Sequence, residues 1–202
     1  LPLTLFPYTT LFRSDSLSDI ITSGVVPGII VYQLFKLSGN RVTDYNLDLN
    51  IEPLIDIDLI LSLSPIAFIA FLITVGSALR LAKFNTIDYT DEFEGLPTPA
   101  NALFFASLPI LLDNSYFIES KEYFLNNYTL ILLVLSSFTL MNIPFRLFSL
   151  RISNRKYDYN IFKILLIVTS IPIILFFGIG GFCLIIILYL LLNVIRNLWY
   201  LL

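Results

Sequence analysis

The residues with chemistry to offer are few, and they sit close together. Asp15 and Asp19 are four apart, which puts two carboxylates on one helical face, one turn from each other. Thr22 and Ser23 carry that polar stripe forward, into Gly24-Val25-Val26-Pro27-Gly28. Carboxylates at the rim of an apolar helix are costly unless they face a cavity, a partner or a cation. A functional role therefore competes evenly with a plain aspartate cap on a solvated first turn. A second group is Arg80 and Lys83, three apart on one face, able to pair with phosphate oxygens or simply to anchor a helix end at a membrane surface. A third is Gly95-Leu96-Pro97-Thr98-Pro99-Ala100-Asn101, a stiff turn leading into a helix. Its free N–H groups suit an anion, and it reads equally as a proline-started helix. Arg146, Arg151, Arg155 and Lys156 fit sidedness and anionic-lipid contact better than catalysis.

What is missing narrows the chemistry. There is no histidine, so histidine triads, histidine zinc sites and histidine-ligated haem are excluded. Cys183 is the single cysteine, which rules out an internal disulfide. Net charge is −3 with no basic tract, against nucleic-acid binding. Reactivity is left to carboxylates, Arg and Lys, hydroxyls and backbone.

The elements that must position these groups are apolar. Of 202 residues, 57% are hydrophobic and 13% charged, about half the charge of a soluble domain. Mean hydropathy is +0.85. The apolar residues fall in blocks near the roughly 20 residues that a membrane helix needs. Six spans are expected, at Ile20–Leu37, Leu59–Leu79, Leu96–Leu112, Tyr128–Phe148, Ile161–Ile179 and Phe182–Tyr200, in an all-α polytopic transmembrane helix bundle. Gly24 and Gly28 have the small-xxx-small spacing of close helix contacts. Gly178, Gly180 and Gly181 predict a tight turn that makes the last two spans antiparallel.

Sidedness follows from basic residues in alternate loops. Arg80, Lys83, Arg146, Arg151, Arg155, Lys156, Lys163 and Arg196 fall on one side, and Lys36, Arg41 and Lys121 on the other. The first side is expected to be cytoplasmic. It includes the Asp15 end, the Asn85–Thr98 and Arg146–Asn160 loops and the C-terminus, while the acidic loops Asp44–Asp58 and Asp113–Glu122 face outward.

Residues Thr4 to Ser14, TLFPYTTLFRS, match the translation of a sequencing-adapter oligonucleotide. Residues 1–14 are accordingly expected to be non-native, with residues 15–202 forming one incomplete membrane domain.

Three strings carry a family resemblance: DSLSDIITSGVVPGIIVYQ from Asp15, LRLAKFN from Leu79 and GLPTPANALFFASLPIL from Gly95. Together they resemble the CDP-alcohol phosphatidyltransferases, and within them the bacterial CDP-diacylglycerol–serine O-phosphatidyltransferases. The likeness runs from Asp15 to the C-terminus and includes IPFRLFSLRI. The family signature is Asp-x2-Asp-Gly-x2-Ala-Arg-x8-Gly-x3-Asp-x3-Asp. Asp15 and Asp19 match its last two aspartates, and Leu11 stands at its second glycine. The earlier half is absent, implying that about two N-terminal helices of the family fold are missing.

The resemblance implies phosphatidyl transfer from CDP-diacylglycerol to the hydroxyl of L-serine, with release of CMP. It implies a pair of Mg²⁺ or Mn²⁺ ions held in part by Asp15 and Asp19, with Asp19 as general base toward serine. Arg80, Lys83, Gly95, Pro97, Thr98 and Pro99 are implied on the substrate side. It implies a multi-pass protein of the inner membrane, its active site facing the cytoplasm, and allows a homodimer. Glycerol 3-phosphate or inositol is the alternative acceptor, and a non-enzymatic membrane protein the alternative class. A site built for four aspartates is expected to be inactive with two.

Overall fold

The computed structural model describes residues 17–39, 65–86, 93–144, 146–147 and 157–201. Residues 1–14 and Asp15 lie outside the described residues. The described chain is almost wholly helical. In order, α1 covers residues 17–39, α2 residues 65–86, α3 Thr98–Leu112, α4 Ile118–Phe124, α5 Asn127–Asn142, α6 Tyr157–Phe177 and α7 Gly181–Leu201. A two-residue antiparallel bridge, β1 Phe93–Glu94 with β2 Arg146–Leu147, pairs Phe93 with Leu147 and Glu94 with Arg146.

Three helical stretches are long and apolar enough to cross a membrane: Leu17–Ser38, Pro65–Lys83 and Ile161–Asn197. A fourth is added if Ser115–Phe124 and Asn127–Asn142, bent by 90°, count as one span. The expected span Leu96–Leu112 is a shorter apolar helix, Thr98–Leu112. The longest stretch is not straight. Leu166 and Leu192 share one apolar cluster, although 26 residues of straight helix would hold them about 39 Å apart. The chain turns at Gly178–Gly180, so α6 and α7 form the expected antiparallel hairpin.

The fourth expected span is shorter than its hydropathy suggests. Instead of reaching Phe148, α5 ends at Asn142, with Ile143 extended at φ −70°, ψ 138°. Pro144 follows, and a proline clashes with a helical conformation of the residue before it. The acidic segment Asp113–Glu122, expected as a loop, holds a 3₁₀ turn Ser115–Phe117 and most of α4. Asn114 and Asn126 cap these short elements by accepting from Tyr116 N and Tyr128 N.

A core of Val31, Leu34, Phe35, Ile73, Phe105 and Leu130, among others, joins α1, α2, α3 and α5. Much of α6 and α7 stays outward and aliphatic, as with Ile164, Val168, Leu175, Leu191 and Ile195. Such a surface matches hydrocarbon rather than water.

Candidate functional site

Pro27 shapes the first part of the site. It has no N–H to give to the carbonyl of Ser23, four residues back. The helix answers with a π turn over Ile21–Val25, in which Val26 N–H reaches Ile21 O. Ser23 O, which Pro27 cannot serve, and the neighbouring Gly24 O both accept from α2. Ser77 Oγ donates to Ser23 O at 3.2 Å, and Thr74 Oγ1 donates to Gly24 O at 3.0 Å. Bonds this short need close backbones. A Cβ on Gly28 would stand 2.9 Å from Thr74 Oγ1, and one on Gly24 3.1 Å from Ser77 Cβ. The small-xxx-small spacing therefore does what its sequence implied. The polar stripe beyond Asp19 does not hold together: Ser23 turns into the α2 interface, whereas Thr22 stays exposed and bonds back to Ser18 O at 2.9 Å.

These contacts set the register. Gly24 faces Ser77 and Gly28 faces Thr74, so α1 and α2 run antiparallel. The start of α1, bearing Asp19, lies at the same end as the last turns of α2, bearing Arg80 and Lys83. Asp19 and Lys83 are exposed, while Arg80 is buried.

Gly95–Asn101 is brought to that end by α5. Gly95 adopts φ +70°, and a Cβ there would lie 2.6 Å from Met141 O. Leu96 N–H donates to Leu140 O at 2.9 Å, so the turn closes over the last carbonyls of α5. Pro97 precedes α3 as its N-cap without a side-chain hydrogen bond, Thr98 is buried and Pro99 exposed. One turn on, Asn101 is 1% exposed. Its Oδ1 accepts from Ser137 Oγ at 2.7 Å, and its Nδ2 has no hydrogen-bond partner among the described residues.

The hairpin adds two more cations. Lys163 on α6 and Arg196 on α7 are both buried and close enough to influence each other electrostatically. Tyr189, two turns before Arg196, is within electrostatic reach of Arg80. Asn193 between them is fully buried, with Nδ2 donating to Tyr189 O at 2.8 Å. Arg80, Lys163 and Arg196, each with little exposed surface, thus share one end of the bundle with Asp19 and the Gly95–Asn101 turn. The carboxylates Asp19, Asp113, Glu119 and Glu122 are all exposed.

Sequence reasoning grouped Lys163 and Arg196 with Arg80, at whose end of the bundle they lie, but saw in them only topology. The overlooked signal was a charge lying inside each of two apolar blocks, a pattern that favours function. Asn101 and its partner Ser137 were also missed, because buried amides and hydroxyls leave no mark on hydropathy.

The structure describes one carboxylate of the expected metal pair, Asp19, and Asp15 lies outside the described residues. Among the described residues no three His, Cys, Asp or Glu side chains come together as a metal site. Comparison with known proteins yields no matching family model, no matching curated protein and no matching solved structure.

Proposed function

We propose that this chain is a phospholipid-synthesising membrane transferase, one that moves the phosphatidyl group of CDP-diacylglycerol to the hydroxyl of L-serine and releases CMP. The observation that supports it best is the end of the bundle shared by Asp19, buried Arg80, Lys163 and Arg196, and the Gly95–Asn101 turn. A nucleotide-activated lipid carries a pyrophosphate, and desolvated guanidinium and ammonium groups bind phosphate oxygens strongly. The reading further takes the six apolar helices as six spans, α3 and α5 being the short ones. It sets the cation-rich end at the cytoplasmic face of the inner membrane.

The roles follow from position. Asp19, exposed at the start of α1, is the candidate base for the acceptor hydroxyl. Arg80 is the candidate phosphate ligand. Gly95, Pro97, Thr98 and Pro99 hold the start of α3 against α5, and so act on the substrate pocket by positioning rather than by contact. Mg²⁺ or Mn²⁺ would require Asp15 and further carboxylates besides Asp19.

The buried cations also favour a second acceptor. Buried guanidinium and ammonium groups suit an anionic acceptor such as glycerol 3-phosphate. The deciding experiment measures CMP release from CDP-diacylglycerol by the full-length gene product, with serine, glycerol 3-phosphate or inositol supplied in turn. Turnover with serine alone is the expected result, and turnover with glycerol 3-phosphate alone transfers the assignment to that acceptor. Failure to bind CDP-diacylglycerol at all would place the protein among non-enzymatic membrane components.

A further inference from the structure

The opposite end of the bundle carries a feature of another kind. The segment Ser115–Phe124 turns by 90° into α5. Where α5 runs across a bilayer beside α2, a helix perpendicular to it must run along the membrane plane. Its flanks differ in chemistry. Phe117 and Lys121 face the bundle, where Lys121 Nζ meets Asp113 Oδ1 at 3.0 Å and Phe117 packs on Phe177. Glu119 and Glu122, three residues apart, are exposed together on the outer side. Tyr116, in the 3₁₀ turn, and Tyr123, in the last turn of α4, are exposed aromatic rings on this flank of the molecule, 76% and 79% accessible.

The height of that flank is fixed. Tyr116 makes an edge contact with Phe177, ring centroids 6.1 Å apart, at the last residue of α6. The aliphatic outward face of α6 stops there, at the Gly178 turn. Exposed tyrosines at the level where an apolar surface ends are placed for the headgroup layer, with ring in the acyl boundary and hydroxyl in water. We infer that Ser115–Phe124 is an interfacial helix seated in the phospholipid headgroups of the leaflet opposite the candidate site, with Tyr116 and Tyr123 inserted and Glu119 and Glu122 in water. This holds or fails independently of any transferase activity.

The test uses the whole protein in phosphatidylcholine vesicles, in a Cys183→Ala background. Tyr116→Cys, Tyr123→Cys, Glu119→Cys and Glu122→Cys are each labelled with a bimane fluorophore. Headgroup-nitroxide lipid should remove most fluorescence at positions 116 and 123 and little at 119 and 122. Aqueous iodide should give the reverse pattern. Equal iodide quenching at all four positions would mean a helix standing clear in water and would overturn the inference. Protection of 116 and 123 from both quenchers would overturn it too, because protein rather than lipid would then cover the flank.

Discussion

The two ends of this bundle use similar polar residues in opposite ways. At the Arg80 end, polar side chains are buried and bond across helices: Ser77 to Ser23, Thr74 to Gly24, Ser137 to Asn101. At the Asp113 end they are exposed and local, as in the Asn114 and Asn126 caps and the Lys121–Asp113 pair. A polar group in a low-dielectric interior is kept only where it is bonded or useful. Burial, rather than residue type, therefore separates the first end, which the proposed function takes as the site of chemistry, from the second, where polar groups meet solvent.

Two glycines with positive φ give the sharpest contrast. Gly95, at the Arg80 end, has φ +70° and backbone oxygens of α5 against any added Cβ. Gly178, at the Asp113 end, has φ +57° and nothing within 4 Å of one. Both alanine variants bear left-handed strain of about 1–2 kcal/mol. Gly95→Ala should also force the turn off α5, giving the larger fall in thermal stability in detergent. Equal losses would mean that the two ends are not differently packed.

Charge removal comes next in size. Arg80→Gln should weaken CDP-diacylglycerol binding at least about tenfold, or 1.4 kcal/mol, read by titration calorimetry of the full-length protein. Lys121→Gln at the other end should leave that affinity unchanged, and a loss there would break the distinction. The hydroxyl bonds are smaller. Ser77→Ala and Thr74→Val should each cost about 0.6 kcal/mol, the usual worth of a hydrogen bond between membrane helices, seen as a lower denaturation midpoint. Smallest is Lys121→Ala. It breaks an exposed ion pair and should shift stability by under about 0.5 kcal/mol, a change near the resolution of the same assay.

Much of the fold could be read from the residues. Apolar blocks gave the principal helices, the Gly178–Gly181 run gave the hairpin, and the glycine spacing gave the α1–α2 contact. Basic residues sorted by loop also agree with the described ends: Arg80, Lys83, Lys163 and Arg196 gather at one, Lys36 and Lys121 at the other. Legibility failed where backbone geometry decides. The π turn and the early end of α5 both arise from a proline acting on its neighbours, and hydropathy does not register that. The α4 helix was hidden because its charged residues resemble a loop. Of the candidate site, the positions of Arg80 and the Gly95 turn could be anticipated. The buried depth of Lys163 and Arg196 depends on which helices cover them, a tertiary fact no local pattern contains.

The hydroxyls of Ser77 and Thr74, donating to backbone carbonyls of α1, have a mechanical result. Sliding α1 along α2 by one residue would break both bonds, so the pair behaves as a keyed joint. The place of Asp19 along the bundle axis is consequently tied to the neighbouring helix, and a shift of the α1 backbone there would carry α2 with it.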